Sequence, residues 1–259
     1  MRKSVIFVAL AFILAFLPSC ESKKNTVEKI KIGLAENNDP YCYYSDDAQA
    51  DGFYVDALNH ITSFAEMEAQ YVACPYEELA EKLKNGEIDC FAAKNYSESN
   101  DYLKSDAFFY SGAAALIPKD GQFSFAKSKS DLKSARVCAL EHNCEQKAFS
   151  LANVKQLSSL AEVKDCLEKE EYDVFIGDNL TAKALRTMFV DMPTLHTFPE
   201  TQLQSEDNCH CLYFKNDNVR LQEKINNAIS KFTLNDAAIT AEEALEYVKN
   251  KNFQKTVEK

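Results

Sequence analysis

Between residues 30 and 93 the chain alternates three short apolar runs with two helical patterns, and this order constrains the fold more than any other feature. Residues 30–35 alternate as a strand and stop at Glu36-Asn37-Asn38-Asp39-Pro40. Residues 52–67 then set Val55, Leu58, Ile61 and Phe64 or Ala65 on one helical face. A second strand over 69–73 ends at Pro75, a helix over 76–84 brings Leu79 and Leu83 together, and Gly86 precedes a third strand over 88–93. Strands separated by helices imply a parallel sheet with right-handed crossovers, hence an α/β fold. The polar loop after residue 93 lies at the carboxyl end of such a strand, where open α/β sheets place small ligands.

A second series follows. The apolar run 113–117, ended by Pro118-Lys119-Asp120-Gly121, reads as a strand leaving the first lobe. Strands are expected over 136–140, 154–157 and 173–177, and helices over 145–151, 160–168 and 181–188. A return strand over 211–214 leads to amphipathic helices over 219–232 and 241–249. The expected organisation is two lobes, 30–117 plus 211–259 and 118–210, each a mostly parallel sheet flanked by helices, joined by a two-strand hinge that permits closure over a ligand.

The N-terminus carries Arg2 and Lys3, an apolar run over 5–17, and Leu17-Pro18-Ser19-Cys20. The run is too short to span a bilayer comfortably and reads as a cleaved signal over 1–19. Polar, Lys-rich residues up to 29 read as a tether. Loss of the two positive charges of Arg2 and Lys3 moves the net charge from −11 to −13. So acidic a body repels phosphate backbones and anionic headgroups, which argues against nucleic acid and against membrane binding by charge.

Eight cysteines remain: Cys42, Cys74, Cys90, Cys138, Cys144, Cys166, Cys209 and Cys211. An exported chain meets an oxidising compartment, so disulfides are expected, although Cys90 and Cys138 sit in strands and pack equally well as buried thiols. Cys209-His210-Cys211 has no second ligand pair at zinc-finger spacing, and no metal or cofactor is expected. GxSxG, HExxH, P-loop and GxGxxG patterns are absent from the sequence.

Five stretches in order, DPYCYY (39–44), GFYVDALNHI (52–61), LKNGEIDCFAA (83–93), SDAFFYSGAAALIPKDG (105–121) and YDVFIGDN (172–179), resemble the family 3 extracellular solute-binding proteins. These are two-lobed periplasmic receptors that deliver amino acids and similar solutes to membrane transporters. The resemblance implies a type II periplasmic-binding-protein fold and no enzymatic activity. It also implies an ABC transporter permease as partner, with an amino acid, polyamine or related amine as solute. Leu17-Pro18-Ser19-Cys20 resembles a lipobox, with Pro18 unusual in it, which makes Cys20 the lipid-modified first residue of an envelope lipoprotein facing the periplasm or exterior.

A free amino acid needs an acceptor for its ammonium and donors for its carboxylate. Asp178 matches the family's ammonium acceptor and is equally placed to cap the following helix. Tyr41 matches the aromatic that stacks over the ligand, with Tyr43, Tyr44, Phe53 and Tyr96 as further walls. The family's carboxylate-binding Arg is missing: counting from either side places it at Glu98 or Asp101, and nothing between Lys94 and Lys104 is basic. The donor turn matches His142-Asn143-Cys144, without glycine. The expected ligand-binding set is therefore Tyr41, Ala93, Lys94, Tyr96, Asn143 and Asp178, with Lys94 replacing the Arg or the solute lacking a carboxylate there. Two alternatives stand beside the receptor: a degenerate binding fold serving as an envelope interaction or sensory module, and a dehydratase-like enzyme using Glu98, Asp101 or Lys94.

Overall fold

A computed structural model describes residues 27–257 except 45–48, 95, 97–100, 142–148, 152, 192 and 198–205. In chain order the first series is β1 (Glu28–Ala35), β2 (Tyr43–Tyr44), β3 (Ala50–Asp51), α1 (Phe53–Phe64), β4 (Met67–Cys74), α2 (Leu79–Asn85), β5 (Cys90–Lys94), β6 (Tyr102–Lys104) and β7 (Phe109–Tyr110). The second is β8 (Ala113–Ile117), β9 (Val137–Leu140), β10 (Val154–Leu157), α3 (Leu160–Glu168), β11 (Val174–Asp178), α4 (Asn179–Thr187) and β12 (Thr194–Thr197). The chain then returns through β13 (Cys209–Lys215), α5 (Val219–Ile229) and α6 (Leu234–Val257).

Two sheets result. The first runs β4-β1-β5-β13-β6, with β7 also on β13; β4, β1 and β5 are parallel and β13 opposes them. The second runs β10-β9-β11-β8-β12, parallel through β11, with β8 antiparallel to both β11 and β12. β5 and β8 are apolar and buried along nearly their whole length, as strands covered on both faces must be. Gly33 sits where a Cβ would come 2.5 Å from the Ile88 side chain, so its lack of one lets that side chain close on β1. Gly86 ends α2 in the left-handed conformation at φ 77°, which glycine adopts without penalty.

Helix α6 belongs to both halves. Its Ala237, Ala241 and Ala244 enter the core around α1, Val248 enters the core of the second sheet, and Leu245 packs on each. At about 36 Å for 24 residues, one helix is long enough to reach both cores, and alanines on its near face allow close approach.

Three expectations need correction. Residues 113–117 form a strand, but it is β8 of the second sheet, and residues 209–210 already belong to β13 of the first. The outgoing crossing is therefore at Ser111 and Gly112, between β7 and β8, ahead of the expected boundary. An apolar run specifies a strand; it does not specify the sheet that the strand joins. Second, α6 starts at Leu234, ahead of the expected 241, because the mutual bonds of Thr233 and Asp236 cap it there. Third, Cys42, Cys74, Cys90, Cys138 and Cys166 are free thiols. Cys90 and Cys138 point into apolar cores from separate sheets, and burial pushes the thiols of Cys42 and Cys138 up to about 12. Residues 1–19, Cys20, Cys144 and most of the helix expected over 145–151 lie outside the described residues.

Candidate functional site

The loop after β1 is tied to the start of α1. Phe53 N–H donates to Pro40 O at 3.0 Å and Tyr54 N–H to Tyr41 O at 2.9 Å. Gly52, at φ 112°, makes this approach possible, since a Cβ there would lie 2.9 Å from both carbonyl oxygens. The local fold thereby aims the Tyr41 ring along α1 toward the second sheet.

Asp178 closes β11 and is the N-cap of α4, accepting from Leu180 N–H at 2.9 Å and Thr181 N–H at 3.1 Å. Thr181 Oγ1 donates to Oδ2 at 2.8 Å, and Ser111 Oγ to Oδ1 at 2.8 Å. Tyr41 OH, from the first sheet's body, donates to the same Oδ1 at 2.7 Å. Lys94, the last residue of β5, donates from Nζ to Ser111 O at 2.6 Å. The Tyr41 ring stacks on His210 at 4.9 Å between centroids, and Tyr54 OH lies 2.8 Å from His210 Nδ1. Tyr41, Tyr54, Ser111, Asp178 and His210 are all buried.

A carboxylate this buried is expensive unless it is paired and hydrogen-bonded. Burial alone raises the Asp178 pKa, but the Lys94 charge and the Tyr41 and backbone donors outweigh it, and the carboxyl is held below the usual carboxylate range. Burial, then the Asp178 charge, pushes the Tyr41 phenol well above its ordinary value, so it stays a donor. Burial, reinforced by Lys94, drops His210 to about 3, so its ring is neutral at neutral pH. The result is an ionised acceptor at the junction of the two sheets, surrounded by donors from three parts of the chain.

Of the six expected residues, Tyr41, Lys94 and Asp178 come together. Ala93 and Tyr96 have their side chains in a different core, with Leu79, Phe91 and Tyr213, and Tyr96 N–H donates to Tyr213 OH at 3.0 Å. The alternation of β5 explains it: Cys90 and Ala92 face α1, and Phe91 and Ala93 face α2. Asn143, with its turn His142-Asn143-Cys144, and Glu98 lie outside the described residues. Asp101 is exposed, Phe53 meets Tyr41 edge-on at 5.9 Å, Tyr43 is core, and Tyr44 is a strand residue of β2. Ser111, Tyr54 and His210 were not anticipated. His210 is the single polar residue in the otherwise apolar CHCLYF of β13, and that isolation is a signal that a buried partner exists. A cavity of about 530 Å³ lies elsewhere, at the β12 edge, lined by Lys119, Arg186, Pro193, Thr194, Leu195 and Thr197, none of them an expected site residue.

Solved structures share this architecture at low identity. An ancestral arginine-binding protein bound to arginine is 20% identical with a TM-score of 0.65, over 83% of this chain and 97% of that one. The amino acid ABC transporter substrate-binding protein AbpA of Streptococcus pneumoniae, bound to L-arginine, gives 15% and 0.66 over 85% and 95%. The periplasmic VFT2 domain of Bordetella pertussis BvgS gives 15% and 0.68 over 83% and 92%. These likenesses establish the two-lobed type II fold that the resemblance implied. No curated protein sequence matches the chain. Residues 30–242 match the model of the bacterial extracellular solute-binding proteins, family 3, and the chain belongs to that family.

Proposed function

We propose that the protein captures an amine-bearing small solute, an amino acid or a relative such as a polyamine, between its lobes and presents it to an ABC-type importer. Asp178 is the ammonium acceptor, and Cys20 carries the lipid that holds the protein at the cell envelope. The observation that supports this most directly is the Tyr41–Asp178 hydrogen bond. A phenol from one lobe hydrogen-bonds the acceptor of the other, and a solute ammonium takes the place of that phenol. Lys94 and Ser111 keep the carboxylate ionised and oriented for that exchange. Arginine is bound by two of the related proteins named above, in their own structures. Thermal-shift and small-angle scattering measurements with amino acids and polyamines test the reading: a solute should raise Tm and change the lobe separation, and indifference to every amine would count against it.

A second reading, an envelope interaction or sensory module, draws on the same carboxylate. Protein donors already surround Asp178, so the pair has the chemistry of a permanent clasp. It predicts no solute response and a cleft that stays closed when Tyr41 loses its hydroxyl. We assign no catalytic role, since Lys94, one of the groups weighed for a dehydratase, is engaged with Ser111 O.

A further inference from the structure

We propose that His210 is a solute-contacting residue, its Nε2–H donating to an acceptor oxygen, so that the preferred solute is an amine that also carries a carboxylate or carbonyl group. The inference rests on the amine-receptor reading above and adds to it the second half of the solute.

His210 is completely buried, yet Nε2 has no hydrogen-bond partner. Buried polar atoms are almost always paired, and an orphan calls for an explanation. Among the described residues three buried side-chain atoms are in this condition, and the one at this site is Nε2 of His210.

The tautomer follows from Tyr54. If Tyr54 O–H donates to Nδ1, the ring proton sits on Nε2 and one donor is left over. The reverse assignment strands the Tyr54 proton as well as the Nε2 lone pair, so the first is favoured. Burial and the Lys94 charge keep the ring uncharged at neutral pH. The contact is thus a neutral N–H, able to serve a carboxylate, ester or amide oxygen.

His210 also stands in the right place. Its register partner is Lys94, at the carboxyl edge of the first sheet's parallel strands, and its ring lies against Tyr41. When a solute ammonium displaces the Tyr41 phenol from Asp178, the same movement uncovers the His210 ring. One event opens both contacts.

The test compares arginine with agmatine, and lysine with cadaverine, pairs that differ only by the carboxylate, using isothermal titration calorimetry on the full mature chain. His210→Phe should weaken arginine and lysine at least tenfold and change agmatine and cadaverine less than twofold. His210→Gln, which retains an N–H donor, should recover part of the loss. Tyr54→Phe, which leaves the imidazole present and releases its tautomer, should move the carboxylate-bearing solutes alone. Equal effects on both members of a pair, or none on arginine and lysine, overturn the role of His210 while the wild type's binding of amines keeps the receptor reading intact. Failure of the wild type to bind any of the four overturns the role of His210, the receptor reading falling only if the whole amine panel is silent as well, and matched circular dichroism and Tm values separate a lost contact from a lost fold.

Discussion

The Tyr41 hydroxyl donates to Asp178 Oδ1 at 2.7 Å, joining positions 137 residues apart, one in the loop after β1 of the first sheet and the other at the end of β11 in the second. Through it the loop after β1 reports on the far lobe. Because the acceptor is an ionised carboxylate away from water, the bond is of the stronger, charge-assisted kind. It also uses the atom to which an incoming ammonium would bind, so lobe closure without solute and solute capture compete for one oxygen.

Replacing Tyr41 by Phe keeps the ring against His210 and Phe53 and removes only the donor. The solute-free protein should lose about 1.5–3 kcal/mol of stability, the worth of a hydrogen bond to a charged group. Amine solutes, no longer competing with a phenol, should bind about tenfold more tightly, which corresponds to about 1.4 kcal/mol. Urea unfolding and calorimetry on the same variant check both. Weaker binding would make Tyr41 a solute contact and not a stand-in.

Asp178→Asn separates the two duties of that side chain. Asparagine is as good an N-cap as aspartate, so α4 should persist. The charge facing Lys94 is lost, and an amide group replaces one of the two oxygens that receive donors from Tyr41, Ser111 and Thr181. Stability should fall by about 3 kcal/mol, as when one member of a buried charge pair is removed. Amine binding should disappear from titrations at millimolar solute. Retained binding would move the ammonium acceptor elsewhere.

Gly52→Ala tests how the site is positioned. The residue is at φ 112°, where an L side chain is strained, and the new Cβ would meet Pro40 O and Tyr41 O at 2.9 Å. The loop must retreat from α1 and carry Tyr41 with it. A loss of about 2 kcal/mol is expected, together with weakened protection of the Phe53 and Tyr54 amides in hydrogen exchange, because these amides donate to the same two carbonyls. Unchanged protection would separate Gly52 from the placement of Tyr41.

Much of the scaffold was legible from periodicity. β10 and α3 fall on their expected residues, since each begins and ends at a polar break with an apolar pattern between. β6, β7 and β12 are two to four residues long, too short for a period to register. β8 was readable as a strand but not as a member of the second sheet, because pairing is decided across sequence distances that local pattern does not sample. Within the site, Asp178 was legible as a helix cap, and the structure shows that cap. Ser111 and Tyr54 carry no local signature: one is a crossing residue and the other an aromatic on a buried helix face. His210 was visible only as part of Cys209-His210-Cys211, where the flanking cysteines drew attention to metals and disulfides. Its significance depends on Lys94 and Tyr54, 116 and 156 residues away in sequence, which only β13 pairing and helix α1 bring near.

The buried imidazole also makes stability depend on pH with a definite sign. Its pKa is about 3 when folded, against about 6.5 for an exposed histidine. Between those values the unfolded chain binds a proton that the folded one refuses, so stability is fully present above pH 6.5 and declines as pH falls, by up to about 1.4 kcal/mol per pH unit. Asp56 works in the opposite direction. Burial and the Asp51 charge raise its carboxyl to about 6, so its folded form favours acid and loses stability as pH rises from about 4 to 6. Asp178, held below the usual carboxylate range, contributes stability that is lost only at pH values below about 4. The clean readout is therefore the difference between wild type and His210→Phe in urea unfolding above pH 4.5, in which Asp56 cancels and Asp178, which titrates below that window, does not enter. Relative to the variant, the wild type should lose about 2–3 kcal/mol between pH 6.5 and 4.5. A difference that stays constant over that window would mean that the ring is solvated or already charged in the folded protein, and the neutral Nε2–H at the lobe junction would have to be given up.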